Sequence, residues 1–366
     1  MDKLKKLIYI LPIFILLVGY FLYSQETRNE AEQILDLEES DISNDVPQED
    51  YEIVASNLEI PWEIVFLPNE EILVTQRPGI LLLLQDDQQI TVDGVEHIGE
   101  GGLLGMALHP DFEQNNWLYL YLTTRIGQTI TNRVERYQFV NSTLSDREVI
   151  LDNIPGAVNH NGGRIAFSPD GYLFITTGDA QNPNLAQDTN SLVGKILKIN
   201  DDGNIPVENP FDNEVYSYGH RNAQGLAWDN QNRLWATEHG RSGVLSGMDE
   251  LNLIEMGNNY GWPAIEGDQE QEGMETPIIH SGPDIIWASA GATFFDDSIF
   301  FAGLRDSTLY EYVIDSGELR EHFRNEFGRL RAVVLGPGNN LYITTSNTDG
   351  RGIPEENDDK VIKIIL

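Results

Sequence analysis

The chain has 366 residues, no cysteine, and 59 acidic against 23 basic side chains, a formal net charge of −36 at pH 7. The lack of cysteine excludes disulfides, thiolate metal sites, haem thioethers and a lipidated N-terminal cysteine. So acidic a chain has no basic stripe to neutralise nucleic-acid phosphates or to adhere broadly to anionic lipid, and it fits a soluble extracytoplasmic protein or one that holds cations.

The first 24 residues read as a targeting segment. Lys3, Lys5 and Lys6 precede an uncharged apolar run over residues 7–23. As a helix at ~1.5 Å per residue, that run is only just long enough for a bilayer. Its basic flank predicts that the start stays in the cytoplasm and the remainder is exported. Leu22-Tyr23-Ser24 offers no small-x-small cleavage pattern, which favours an uncleaved anchor over a removed signal. Residues 25–50 are acidic and polar, with Asp36-Leu37-Glu38-Glu39-Ser40-Asp41 and almost no opposing charge beyond Arg28. They read as a disordered, solvated linker.

From residue 51 to 366 a loose pattern recurs: turn residues, a strand rich in β-branched and aromatic side chains, a polar or glycine break, then a second strand. The turns fall at Leu67-Pro68-Asn69-Glu70, His109-Pro110-Asp111, Ser168-Pro169-Asp170-Gly171, Trp228-Asp229-Asn230-Gln231, Phe295-Asp296-Asp297 and Gly336-Pro337-Gly338-Asn339. Second strands are expected at 80–84, 132–139, 195–199, 250–254, 309–314 and 360–365. Six hairpin-bearing units at intervals of about 40 to 67 residues suit propeller blades, whereas a sandwich rarely needs six similar modules. The fold class expected is therefore all-β, a six-bladed β-propeller preceded by an N-terminal membrane-targeting helix. Strands at 51–55 and 361–366 would complete one blade together and close the ring. Ligands of such folds gather where loops converge at the mouth of the central channel.

The most informative stretch is residues 158–180. Proline, aspartate and glycine in Ser168-Pro169-Asp170-Gly171 specify a tight turn, so strands are expected at 164–167 and 172–177. His160 stands at the open end of the first and Asp179 at the open end of the second. An antiparallel hairpin lays those ends side by side, and a carboxylate beside an imidazole holds one tautomer and raises its basicity.

Other polar segments cluster at expected blade ends. Gly99-Glu100-Gly101-Gly102-Leu103-Leu104-Gly105 is too glycine-rich for a strand centre and reads as a tight turn with close backbone packing. Tyr218–Gly225 puts Arg221, Asn222 and Gln224 before a strand. Arg329-Leu330-Arg331 on a strand would set two guanidiniums on one face, where they repel unless an anion lies between them; an outward basic face is the alternative. Glu238-His239-Gly240-Arg241, Met248–Asn252 and Asn258–Pro263 gather carboxylates and glycine carbonyls, hard oxygen ligands that suit calcium, without EF-hand order. The seven histidines lack zinc-type spacing.

Taken in order, GEGGLLGMALHPDF, HNGGRIAFSPDGYLFITTGD, GHRNAQGLAWD, DELNLIEMGNNYGWP and GRLRAVV resemble the soluble quinoprotein sugar dehydrogenases, the pyrroloquinoline quinone (PQQ)-dependent glucose, aldose and sorbosone dehydrogenase family. The resemblance spans about 51–366 and implies a six-bladed propeller. It also implies PQQ and calcium as cofactors, a small-molecule sugar as substrate, and a quinone or redox protein as electron acceptor. His160 then matches the general base, Asp179 the carboxylate that orients it, and Arg221 the arginine beside the reactive quinone carbonyl. Glu100 falls at a polar position near the substrate, grouped with the cofactor pocket. Asn222 and Gln224 match the pocket's other polar groups, and Arg329 and Arg331 the grip on the cofactor's carboxylates. Gly240 and Arg241 match carbonyl ligands of a cofactor-bound calcium, Glu250 and Tyr260 ligands of a second, structural one. There are departures: Trp287-Ala288-Ser289 replaces Trp-Pro-Thr, Arg305 stands for a cofactor-binding lysine, and Arg241 replaces a proline ahead of a longer loop. Two other readings stay open, since fold alone does not determine function: a non-catalytic propeller that binds a glycan or protein, and a calcium-dependent lactonase, which has no use for the arginine pair.

Overall fold

Strict alternation sends neighbouring side chains of a strand to opposite faces of its sheet. In the strand Trp117–Ile126 (β7), Leu118, Leu120 and Leu122 join one buried apolar cluster while Tyr119 and Tyr121 join another. Both faces of that sheet are therefore covered, and the same holds around the molecule. The computed structural model describes residues 50–242 and 246–365. The expected targeting segment (1–24) and all but the last residue of the expected linker lie outside them.

Six four-stranded antiparallel sheets make up this body, a six-bladed β-propeller with almost no helix. Blade one is Pro61–Phe66 (β2), Ile72–Gln76 (β3), Ile80–Leu83 (β4) and Gln88–Thr91 (β5); blade two is Leu103–Leu108 (β6), β7, Thr129–Val140 (β8) and Thr143–Pro155 (β9). Blade three comprises Ile165–Phe167 (β10), Leu173–Thr177 (β11), Lys195–Ile199 (β12) and Val215–Tyr218 (β13). Blade four comprises Ala223–Trp228 (β14), Leu234–Glu238 (β15), Glu250–Ile254 (β16) and Ile279–His280 (β17). Blade five is Ser289–Phe295 (β18), Ser298–Gly303 (β19), Leu309–Val313 (β20) and Glu318–His322 (β21). Blade six takes Leu330–Leu335 (β22), Leu341–Thr345 (β23) and Val361–Ile365 (β24) from the end of the body and Asp50–Ala55 (β1) from its start. Tyr51 pairs with Ile364 and Ile53 with Ile362, as expected for the blade that closes the ring.

Each of six buried clusters joins one blade to the next. Leu73 and Leu81 of blade one meet Met106 and Leu120 of blade two, and Tyr342 and Val361 of blade six return to Ile64 and Val74 of blade one. A fully buried leucine or isoleucine contributes about 1.5–3 kcal/mol, so stability is spread around the ring rather than held in a single centre.

The glycine-rich stretch packs closely against neighbouring backbone, as expected, but part of it is strand rather than turn. Gly105 lies inside β6, whose first residue is Leu103. A Cβ there would sit 2.2 Å from the Gly163 carbonyl of the next blade. First strands converge on the axis, so a residue without a side chain belongs in the strand itself. The polar fourth strands β5, β17 and β21 also carry no strand signature that sequence reading detected. Among the described residues no helix is long and apolar enough to cross a membrane.

Candidate active site

The turn between β10 and β11 forms as its residues dictate, with the Gly171 N–H donating to the Ser168 carbonyl at 2.9 Å and Phe167 paired with Leu173. Two residues past β11, Asp179 comes beside His160, which sits in the left-handed region at φ 61°. The close approach requires Gly178, where a Cβ would lie 2.0 Å from the His160 carbonyl oxygen. His160 Nδ1 and Asp179 Oδ1 are 2.8 Å apart. Arg221 Nη2 lies 2.9 Å from His160 Nε2. A guanidinium has only donors, so Nε2 is the acceptor and Nδ1 carries the proton that goes to Asp179. The network thus assigns a neutral imidazole whose lone pair is at Nε2.

Supporting contacts fix this dyad. The Trp262 indole N–H donates to Asp179 Oδ2 at 3.0 Å, and the Gln181 N–H to Oδ1 at 2.8 Å. The His160 N–H donates to Glu100 Oε2 at 2.7 Å, while Arg351 reaches Glu100 Oε1 at 2.7 Å and Asn159 at 3.0 Å. Burial alone would raise the Glu100 carboxyl; the Arg351 charge and the His160 N–H outweigh it and hold Glu100 down at about 2. Arg221 is anchored through its backbone N–H on Glu238 and donates to Ser242 at 2.6 Å; burial lowers its affinity for a proton.

Below lies a layer of buried cations. Arg164 pairs with Glu63 and stands 4.2 Å from the Trp62 ring centroid. Arg331 donates to Gln224 Oε1 at 2.6 Å. Burial, reinforced by other guanidinium charges, brings both arginines down to about 9, so both stay charged at neutral pH. Arg331 Nε, Arg164 Nη2, Asn222 Nδ2 and His239 Nε2 are buried with no hydrogen-bond partner. Orphaned buried donors are costly. Burial pulls His239 down to about 3, leaving it neutral.

These groups surround a cavity of about 360 Å³. Of the residues expected from sequence, Glu100, His160, Arg221, Gln224, Gly240, Arg241, Arg305, Arg329 and Arg331 all line it. The imidazole and the arginine pair therefore share one small mouth.

Three comparisons with known proteins bear on this arrangement. The family model described as "Glucose / Sorbosone dehydrogenase" matches residues 58–354. The chain belongs to this family. A PQQ-bound aldose sugar dehydrogenase from Streptomyces coelicolor aligns with a TM-score of 0.79 at 36% identity, over 87% of this chain and 98% of that one. An oxidoreductase (glucose dehydrogenase) from Thermus thermophilus aligns at 0.80 and 40% identity, over 87% and 100%. Aldose sugar dehydrogenase YliI of Escherichia coli is 31% identical over 339 residues, 82% of this chain and 90% of that protein.

Within this member of the family, the other expected site residues are distributed as follows. Asp179 stands behind His160, outside the cavity wall. Asn222 accepts the Gly162 N–H at 3.0 Å and also lies outside the wall. Ser289 is turned away, its hydroxyl donating to the Glu238 carbonyl at 2.9 Å. The anion that the Arg329 and Arg331 spacing calls for is in part internal: Arg329 pairs with Asp349 at 2.8 Å. Arg305 makes no hydrogen bond or ion pair with its guanidinium among the described residues.

Glu250 and Tyr260 line a second, smaller space of about 10 Å³ with Glu238, Gly240, Arg241 and Glu266, near the minimum for one small occupant. Glu238 and Glu250 are cross-strand partners. Burial, and then the Glu238 charge, push the Glu250 carboxyl well above the usual range. The Tyr260 hydroxyl is used by backbone, accepting from Glu255 and donating to Leu253, so its carbonyl is what remains to offer an ion. Among the described residues no three His, Asp or Glu side chains converge as a metal cluster. Sequence reading passed over Trp62, Asp349 and Arg351, which meet Arg164, Arg329 and Glu100 respectively and carry no local motif.

Proposed function

We propose that the chain is an exported, PQQ- and calcium-dependent dehydrogenase that oxidises an aldose or related sugar to its lactone and passes electrons to a quinone or redox protein. Residues 1–24 would target or anchor it and 25–50 would space the propeller, 51–366, from the membrane. One observation carries the reading: His160, held by Asp179 at Nδ1 and met by Arg221 at Nε2, stands in one cavity with Arg331, whose buried Nε has no partner. A pure binding module or a lactonase needs no such pairing.

The residues present suit both cofactors. Arg331, whose buried Nε has no partner, and Arg305, which lines the same cavity, are matched to the carboxylates of PQQ. Carbonyls of Gly240 and Arg241 suit calcium at the cavity, and the buried Glu250, with the Tyr260 carbonyl, suits a second ion. When bound, PQQ supplies the acceptor for the hydride leaving the sugar carbon. His160 Nε2 takes the proton of the anomeric hydroxyl. Asp179 stabilises the imidazolium so formed, Trp262 and Gln181 keep Asp179 in place, and Arg221 supplies positive charge where negative charge develops.

The test is reconstitution of the full chain with PQQ and calcium, followed by a sugar panel and an artificial electron acceptor. Dye reduction that requires both cofactors is expected. Absence of dye reduction across the panel, with no spectral change in bound quinone, would overturn the reading.

A further inference from the structure

Lys195 heads β12 and is 0% exposed, although a lysine is almost never fully buried without a partner of opposite charge. No carboxylate forms an ion pair with it among the described residues; Asp188, whose charge favours the ammonium, is exposed. The Lys195 donors go instead to backbone carbonyls, those of Leu185 and Ala186 at 2.9 Å and that of Val193 at 2.5 Å. An ammonium has three donors and no acceptor, so this cage uses all of them. A neutral amine would turn a lone pair towards one of the carbonyls. Oxygens converging in this way on one buried point usually surround a metal ion; here the chain supplies the cation itself.

All three carbonyls belong to the loop between β11 and β12, residues 178–194, and this loop carries Asp179. It supports the His160–Asp179 pair twice. The Gln181 N–H donates to Asp179 Oδ1. Gln187, the neighbour of Ala186, donates to the Trp262 carbonyl at 2.7 Å and exchanges amide hydrogen bonds with Asn259 at 2.8 and 3.0 Å. Trp262 in turn donates to Asp179 Oδ2. The ammonium therefore ties the middle of the loop to its end, directly behind the residue that seats Trp262. Without it the three buried acceptors lose their donor, a state costly enough for the loop to turn them towards water and carry Gln187 along.

We propose that Lys195 is a positioning residue for the base: its ammonium is an internal counter-ion for three loop carbonyls and keeps residues 178–194 in the shape that sets Asp179 and Trp262 against His160. The proposal rests on reading His160 as the base, and its test includes a measurement that needs no turnover.

Because the chain has no cysteine, Lys195→Cys offers a single thiol for alkylation. The full chain is unfolded, treated with 2-bromoethylamine or with 1-bromopropane, and refolded, beside the parent taken through the same steps. The two products have side chains of equal length that end on an ammonium or on a methyl group, so shape is held while charge changes. Reconstituted with PQQ and calcium, they are compared at about pH 6, below the value of about 7 to which burial brings the amine. The aminoethyl form is expected to keep kcat within about threefold of the parent, and the propyl form to lose about tenfold or more with KM nearly unchanged. Hydrogen exchange of the amides over 178–194 and of the Trp262 indole N–H should be about tenfold or more faster in the propyl form only. Lys195→Met, expressed directly and never unfolded, should behave as the propyl form does. Equal kcat and equal exchange in the two alkylated forms, a loss of kcat without faster exchange at Trp262, or a Lys195→Met chain matching the parent in both measurements would overturn the proposal. The exchange contrast retained in a parent that oxidises no sugar would leave the cage standing and remove only the redox reading.

Discussion

His160 and His220 occupy corresponding places in neighbouring blades, each just ahead of a first strand and each joined through Nδ1 to a carboxylate at 2.8 Å, Asp179 in one case and Glu238 in the other. Their second nitrogens differ. His160 Nε2 opens on the cavity and faces Arg221. His220 Nε2 is capped by Ser217 Oγ at 2.9 Å, and its ring, fully buried, is stacked on Tyr260 with centroids 4.8 Å apart. In the proposed reading the first takes a proton and the second is a brace. What separates them is the partner of the second nitrogen, a guanidinium at the cavity wall in one case and a buried serine hydroxyl in the other.

Substitutions can break this contrast. The largest effect is expected for His160→Gln: a fall in kcat of about 10³-fold with PQQ affinity changed by less than about threefold, read by steady-state kinetics and fluorescence titration. Asp179→Asn should lower kcat by about 10²-fold, because the amide favours the wrong tautomer; kcat within about twofold of the parent would remove Asp179 from its orienting role. His220→Gln should do the reverse, costing roughly 2–3 kcal/mol of stability in urea unfolding while the folded fraction keeps its kcat. A large loss of kcat without loss of stability there would erase the distinction between the two dyads.

A smaller effect sharpens the same comparison at Glu250, which adjoins Glu238. Its carboxyl is raised in the folded chain above an ordinary value of 4.5. The folded state then holds a proton that the unfolded state releases. In chelator, the contribution of Glu250 to stability should be greatest below pH 4.5 and decline, by something of the order of 1 kcal/mol, as pH rises towards the raised value, read as the difference between the parent and Glu250→Gln. Excess calcium should flatten that decline, and a profile unaffected by calcium would argue against an ion at Glu250.

Much of this architecture is legible in the chain because local rules coincide with the final structure. Turn chemistry located the hairpins, and the expected strands at 195–199 and 250–254 coincide with β12 and β16. The His160–Asp179 contact follows from a single hairpin, so one turn suffices to foresee it. First strands such as β6 were obscured because crowding at the axis selects glycine and alanine over β-branched residues. Fourth strands such as β21, Glu-Leu-Arg-Glu-His, face water and look like loops. Trp262 on Asp179, Asp349 on Arg329 and Arg351 on Glu100 each join segments 20 or more residues apart in the chain. Such meetings are set by the ring and have no local signature.

The pairing of β1 with β24 has a consequence for assembly during synthesis. The strand that emerges first must wait for the one that emerges last, so through most of translation the nascent body carries two raw sheet margins. Such margins readily recruit other chains. Only β24 seals them, and a polypeptide released before Val361 would have nearly every blade made and no means of fastening the circle.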